Sequence, residues 1–191
     1  DSYPGASGLV AGGDRVLVAP SAGITGIQSD TFQENTFSTF YRPDVQARAF
    51  GEYIGSQGHQ KIGVVFQNDA YFIDFSKHLF AALQQLGYSQ DTVVFEYINY
   101  GDDGRSSLLN LKREGVDALM FGLYDETSIS VVRSQLGTLF QDVTLYSNDL
   151  VEWHLFSDDY RDEYEGVTYI VDRKSTRLNS IHLVISYAVF C

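Results

Sequence analysis

Hydrophobic and polar positions repeat one unit along this chain: a short apolar run, a polar turn, and a stretch with helical spacing that ends near a glycine. The clearest unit starts at residues 61–71, KIGVVFQNDAY, where an uninterrupted apolar run predicts a fully buried strand. The helix predicted after it ends at Gly87, which suits a left-handed cap, and later helices should end at Gly115 and Gly137. Further strands are predicted at 92–98, 117–121, 143–146 and 166–171.

The first 43 residues follow a different pattern. Short strands are predicted at 15–19 and 35–42, with a loop of small residues between them. Asp44 is a predicted N-cap of the next helix, which Gly55 and Gly58 should close.

The alternation of strands and helices predicts an α/β fold with a doubly wound parallel sheet, because each helix returns the chain for the next parallel strand. In such a sheet the loops after the strands share one edge, where ligands bind. Within the turn after the first buried strand, Asp69 or Asn68 should cap the following helix. The loops on this edge are 67–71, 99–104, 122–126 and 147–151.

Composition and charge limit the classes of function. With 44% hydrophobic and 14% aromatic residues, the chain can form a sizeable core. A formal net charge of −12 argues against nucleic acid as a partner and disfavours an anionic membrane surface, but it allows a small-molecule ligand. No apolar run is long enough to span a membrane. The acidic segment 158–165 is predicted to be solvated.

Catalytic and metal-binding patterns are weak. The single cysteine, Cys191, is the last residue, which leaves the rest of the chain without disulfides, thiol catalysis or cysteine-ligated metal. His154 lies near Asp149, but no nucleophile accompanies the pair. Asp102 and Asp103 could suggest a cation site, although the flanking glycines suit a turn better. We therefore predict a protein that is not an enzyme and holds no metal or cofactor.

The loop edge carries a different chemistry. Tyr71, Tyr124 and Asp149 each follow a different predicted strand. Tyrosine can cover a ligand with its ring and donate from its hydroxyl, and a carboxylate can hold an ammonium group. The loop at 21–25 offers hydroxyls and successive amides for an anion such as a carboxylate. Together these groups predict a site for a zwitterion.

The order of these pieces resembles the type 1 periplasmic solute-binding proteins of branched-chain amino-acid and amide importers. The resemblance covers almost all of residues 15–171. Four segments carry it: APSAGIT (19–25), similar to the family's S-P-x-A-T loop; FYRPDVQARAFGEYI (40–54), similar to its entry into lobe two; KIGVVFQNDAY, similar to its strand and ligand-facing Tyr; and LKREGVDALMF with EGVTYIV, similar to its later core.

The resemblance implies a role for each matching residue. The family's carboxylate-binding loop corresponds to Ser21, Ala22, Gly23 and Thr25. Tyr71 and Tyr124 would close over the ligand, Asp149 would hold its α-amino group, and Asp44 would lie beside the hinge. The sequence departs from the family in two places: the usual Ala-Thr pair reads Ala22-Gly23, and the glycine that commonly follows the Tyr is Phe72.

The resemblance also implies a truncated two-lobed fold and a function in transport. Residues 1–43 would be a remnant of lobe one and 44–171 a nearly complete lobe two. The whole protein would close about a hinge on a small amino-acid-like or amide ligand and deliver it to an ABC permease. It would be periplasmic or extracellular, with lipid anchoring left open. A ligand-sensing domain of a receptor or regulator with the same fold is the alternative.

Residues 172–191 have a different character from the rest of the chain. Three basic residues here stand against one acidic residue, within an otherwise acidic protein. DRKSTRLNS and ISYAVFC closely resemble the two constant parts of a translated sequencing adapter. We therefore predict that 172–191 is a non-native tail.

Overall fold

The computed structural model describes residues 14–19, 36–38, 42–124, 126–149, 151, 164–172 and 183–187. Helices and strands alternate along most of this part of the chain. In chain order the elements are β1 (Leu17–Ala19), β2 (Thr36–Ser38), α1 (Pro43–Ser56), β3 (Ile62–Gln67), α2 (Ala70–Gln85), β4 (Val93–Ile98), α3 (Arg105–Glu114), β5 (Ala118–Gly122), α4 (Glu126–Leu139), β6 (Thr144–Ser147), β7 (Thr168–Asp172) and β8 (Leu183–Tyr187).

The main sheet has six strands in the order β4-β3-β5-β6-β7-β8. Its first five strands are parallel, and β3 lies between β4 and β5, so that Val64 is level with Phe95 and Met120. The predicted parallel α/β sheet is confirmed. Because the strands are parallel, the loops that follow β3, β4, β5 and β6 all lie on one edge.

Helices cover the sheet on both faces because the side chains of its buried strands alternate in direction. Val64 and Phe66 of β3 belong to a core formed with α1 and α2, which includes Phe50 and Leu79. Val65, from the same strand, belongs to a second core formed with α3 and α4. This arrangement confirms the doubly wound architecture, and it explains why all six residues of β3 are buried.

The start of α2 agrees with the sequence prediction. Asp69 is its N-cap, and the carboxylate accepts a hydrogen bond of 2.8 Å from the Phe72 amide. Asn68 is not a cap, since its side chain donates to Asn99 across the turn after β4. At the other end, Gly87 adopts a φ of 93°.

The start of α1 differs from the prediction. Arg42, not Asp44, is the N-cap residue, and Pro43 is the first residue of the helix. Proline favours this position because the amide it lacks would have no partner in the helix. Asp44 instead lies in the first turn, where it accepts a 3.0 Å hydrogen bond from Arg42 Nε and forms an ion pair with the same guanidinium. Its negative charge also suits the positive end of the helix.

Gly58 follows the C-cap of α1 with a φ of 79°, as predicted for the end of that helix, but two other glycines predicted to end helices do not. Gly55 lies inside α1 and Gly137 inside α4. At Gly55 a Cβ would lie 2.5 Å from Cδ1 of Leu86, a half-exposed side chain that would have to shift. The predicted solvated segment 158–165 also needs correction at Tyr164, which is buried against the Phe121 ring.

Two features bear on the predicted domain boundaries. The parallel pair β1–β2 forms a separate small sheet, with Val18 and Phe37 each 55% exposed. Parallel strands normally have both faces covered, and these two side chains are exposed instead. β8 lies within 172–191 and pairs antiparallel with β7. The domain division and the non-native origin of 172–191 stay predictions.

A half-buried histidine next to β3 predicts a pH-dependent stability. His59 Nε2 is hydrogen-bonded to the Tyr146 hydroxyl at 2.7 Å, and burial lowers the pKa of His59 against an opposing effect of Asp117. The unfolded chain then binds this proton more readily, with a pKa of about 6.5. Above that pH the contribution to stability is complete, and it is lost as the pH falls through the lower folded-state pKa.

We expect the free energy of unfolding to fall between pH 8 and pH 5, measured by urea denaturation at each pH. His59→Gln removes the titrating group and should flatten this part of the curve. The pKa of Asp117 is also lowered, because hydrogen bonds from the Gln60 and Lys61 amides outweigh the effect of its burial, but its contribution is lost only at more acidic pH. An equal slope in wild type and variant would contradict the assignment.

Candidate functional site

The candidate site lies on the loop edge of the parallel sheet. Tyr71 follows β3 and lies in the first turn of α2. Tyr124 follows the end of β5 by two residues, and Asp149 follows the end of β6 by two residues. Since β5 lies between β3 and β6, the three residues come from three adjacent strands.

Aromatic rings form one side of the site. The rings of Tyr71 and Tyr124 have centroids 6.1 Å apart and planes inclined at 57°. The Phe72 ring centroid lies 5.2 Å from that of Tyr124 and 4.6 Å from that of Phe66, on which Phe72 stacks. Tyr124 is 36% exposed whereas Phe72 is fully buried, so this aromatic group extends from the core to the surface.

Gly122 makes room for this arrangement. A Cβ at this position would lie 2.5 Å from Cε1 and 2.7 Å from Cζ of the Phe72 ring. Phe72 therefore acts as a core residue that supports Tyr124.

Polar groups form the other side of the site. Gln46 on α1 connects two of the predicted residues: its Nε2 donates to Asp149 Oδ1 at 3.2 Å, and its Oε1 accepts a long hydrogen bond of 3.4 Å from the Tyr71 hydroxyl. Both Gln46 and Asp149 are buried, at 2% and 8% exposure. The side chain of Gln46 therefore orients a carboxylate and a hydroxyl that the sequence analysis assigned separately.

Burial affects the titration of both tyrosines. It raises the pKa of Tyr71, against a lowering effect of Asn148 and with a further increase from the charge of Asp69. It also raises the pKa of Tyr124, with smaller effects of Asp69 and Tyr71 in the same direction. Both hydroxyls therefore remain protonated near neutral pH and can donate hydrogen bonds.

The structure brings together Tyr71, Tyr124 and Asp149, as the shared edge of the sheet predicted. It also adds two residues that the sequence analysis missed, Gln46 and Asn148. Gln46 lies on a helix and not on the loop edge, so only its place within the FYRPDVQ segment could have indicated it. Asn148 directly precedes Asp149, but an asparagine at a strand end usually indicates only a turn.

Of the other predicted residues, only Asp44 is among those that the structure describes. Asp44 is 5% exposed and paired with Arg42 at the start of α1. The carboxylate-binding loop, with Ser21, Ala22, Gly23 and Thr25, and the enzyme candidate His154 are outside the described residues.

Asp102 and Asp103, the candidate cation ligands of the sequence analysis, have hydrogen-bond partners within their own turn. Asp102 accepts from Asn99 Nδ2 at 3.0 Å, and Asp103 from the Arg105 amide at 3.0 Å, as expected for a turn. The part of the chain that the structure covers contains no cluster of three His, Cys, Asp or Glu residues able to hold a metal ion. It also contains no helix with the length and hydrophobicity needed to cross a membrane.

A sequence model of the family described as periplasmic binding protein matches residues 4–152. The chain belongs to the periplasmic binding protein family. A search of the curated proteins found no match.

Solved structures have the same fold as this periplasmic binding protein. An extracellular ligand-binding receptor from Rhodopseudomonas palustris HaA2 is similar with a TM-score of 0.71 and 20% identity, over 90% of this chain and 47% of that one. LivJ, a branched-chain amino acid transporter substrate binding protein from Streptococcus pneumoniae in complex with isoleucine, is similar with a TM-score of 0.66 and 15% identity. This match covers 94% of this chain and 50% of LivJ. A solute binding protein of an ABC transporter from R. palustris, in complex with benzoate, is similar with a TM-score of 0.68 and 15% identity. This match covers 85% of this chain and 44% of that one.

These similarities confirm the type 1 periplasmic binding protein fold. The chain spans half or less of the length of each of these structures. It is therefore truncated relative to them, as the sequence predicted.

Proposed function

We propose that this chain is the ligand-binding part of an extracytoplasmic solute-binding protein that takes up a small amino-acid-like or amide ligand for an ABC importer. The observation that carries the proposal is the connection of Tyr71, Gln46 and Asp149 on the loop edge of the sheet. It places a buried carboxylate, suited to an ammonium group, next to aromatic rings that can cover the ligand.

Known complexes support this ligand class. One similar structure holds isoleucine and another holds benzoate. Both ligands have a carboxylate, but only isoleucine has an ammonium group. A carboxylate requires donors, which the loop at 21–25 would supply from the other lobe, and the ammonium group would pair with Asp149.

The proposed mechanism is hinge closure. Residues 1–43 would belong to lobe one and 44–171 to lobe two, and the ligand would contact both lobes only when they are closed. A ligand shifts such an equilibrium through its higher affinity for the closed state. Since the site requires both lobes, the complete two-lobed protein is expected to bind its ligand, and the 191-residue chain alone to bind weakly.

Asp149→Asn in the complete protein tests the role of the carboxylate. The amide keeps the shape and can still accept from Gln46, but it loses the charge. We expect affinity for the amino acids that bind, tested with L-isoleucine and L-asparagine, to fall at least about tenfold, because a hydrogen bond to a charged group contributes about 1.5–3 kcal/mol. Affinity for benzoate should not change. Isothermal titration calorimetry measures both.

Asp142→Asn, the same substitution at an exposed position before β6, is the matched control and should leave all affinities unchanged. If Asp149→Asn weakened benzoate and amino acids equally, Asp149 would have a structural role and not a role in ammonium binding. Absence of binding to every ligand by the wild-type protein would overturn the proposed function itself.

A further inference from the structure

Asn148 lies directly after β6 and is completely shielded from solvent, at 0% exposure. Within the described part of the chain, neither its Nδ2 nor its Oδ1 has a hydrogen-bond partner. Native proteins leave few buried amide groups unpaired, because the hydration lost on burial is then not replaced. A buried amide with both atoms unpaired therefore requires an explanation.

Other polar side chains at the ends of neighbouring strands have a structural role. The Ser147 hydroxyl donates to the Phe121 carbonyl at 2.9 Å, which ties β6 to β5. Gln67 Nε2 donates to the Ile98 carbonyl at 2.8 Å, which ties β3 to β4, although its Oε1 has no partner. The Asn148 side chain makes no such connection, so holding the sheet together does not explain it.

The surroundings of Asn148 are those of the candidate site. It directly precedes Asp149, and it lies close enough to the Tyr71 hydroxyl to lower the pKa of that group, although without a hydrogen bond of good geometry. The Tyr71 hydroxyl and the Asp149 carboxylate both bond to Gln46. The amide of Asn148 thus lies beside the Tyr71 hydroxyl, and no described protein group makes a well-formed hydrogen bond with either of its polar atoms.

We propose that Asn148 is a specificity-determining residue that pairs through its amide with a carboxamide group of the ligand. This inference rests on the function proposed above. Asparagine offers two donors and an acceptor on one planar group, and a carboxamide presents the complementary set. An aliphatic group in the same place would leave both amide atoms unpaired. Sites that hydrogen-bond a ligand group strongly reject analogues that lack it.

The ligand class that follows is an amino acid or small molecule with a carboxamide, in preference to one with a branched aliphatic side chain. L-asparagine and L-leucine test this directly, because the two side chains have nearly the same shape and differ in polarity. We expect the complete two-lobed protein to bind L-asparagine at least about tenfold more tightly than L-leucine, which is the effect of about one lost hydrogen bond.

Asn148→Leu makes in the protein the same exchange, a carboxamide for an aliphatic group, that L-asparagine and L-leucine make in the ligand. This variant should lose the preference for L-asparagine and bind L-leucine at least as tightly. Its melting temperature without ligand should rise, because an unpaired buried amide has been removed. Asn148→Ala should also lose the preference for L-asparagine. This variant serves as the test if the leucine side chain at position 148 cannot be accommodated in the folded protein. Cooperative melting shows that each variant is folded.

The outcomes separate this inference from the proposed function. Equal affinity of the wild-type protein for the two amino acids, or an unchanged preference in both variants, would mean that a water molecule satisfies Asn148 and would overturn the inference. If the wild-type protein bound isoleucine or benzoate but neither L-asparagine nor L-leucine, the inference would also be overturned and the proposed function would stand. A wild-type protein that binds none of these ligands would overturn both.

Discussion

Gly122→Ala is expected to destabilise the protein by about 1–3 kcal/mol, the usual range for overpacking a well-filled core. The new Cβ would lie 2.5 Å from Cε1 of the Phe72 ring and 3.1 Å from Cδ1 of Phe66. The Phe72 ring contacts both Phe66 and Tyr124, so a shift of this ring would disturb its packing against them. Urea denaturation measures the loss of stability.

Because Phe72 supports Tyr124, the same substitution should also reduce ligand affinity in the complete protein. Gly137→Ala is the matched control: a Cβ at Gly137 meets nothing within 4 Å, and the residue lies inside α4. That change should stabilise the protein by roughly 0.5–1 kcal/mol, since alanine favours helix more than glycine does. Adding Phe72→Leu to Gly122→Ala should recover part of the lost stability, because the two positions are in contact. Independent effects at the two positions would contradict this coupling.

Gly51→Val is expected to have the larger effect on folding, a loss of about 3 kcal/mol or more, because it forces two helices apart. Gly51 lies on α1 at its contact with α2, and a Cβ there would lie 2.8 Å from both the Leu79 carbonyl oxygen and Ala82 Cβ. The carbonyl belongs to the backbone of α2 and cannot rotate away as a side chain could. The free energy of unfolding, again from urea denaturation, should show the loss.

Two comparisons identify the cause. Gly137→Val, at an open helical position, should have little effect on stability. Ala82→Gly combined with Gly51→Val should recover only part of the loss, since it relieves the contact with Ala82 and leaves the contact with the Leu79 carbonyl. Full recovery would mean that the helix backbones are free to adjust, contrary to the packing described here.

The fold could be predicted from the sequence because its determinants are local. The apolar run of β3, the Asp69 cap and the left-handed Gly87 each depend on residues close together in the chain. Parallel strands connected by helices then place their loops on one edge, whatever the details of packing. For that reason Tyr71, Tyr124 and Asp149 could be expected to lie together before the structure was known.

The wrong predictions at the helix ends also rest on local signals, which here did not decide the outcome. Gly55 and Gly137 look like stop signals, yet the helices continue past them to Ser56 and Leu139, because a glycine lowers helix propensity without by itself ending a helix. Asp44 likewise looked like a cap, but Pro43 begins the helix and Arg42 holds the carboxylate.

The sequence by itself therefore determined the order of strands and helices, the doubly wound sheet and the edge on which a ligand would bind. Only the tertiary structure decided which side chains meet there. Gln46 bonds to Asp149, which lies 103 residues further along the chain, and Gly122 at the end of β5 makes room for Phe72 on α2. Asn148 became significant only when burial left its amide unpaired. Periodicity and capping depend on neighbours in sequence, whereas hydrogen bonds across the core depend on distances that exist only once the chain has folded.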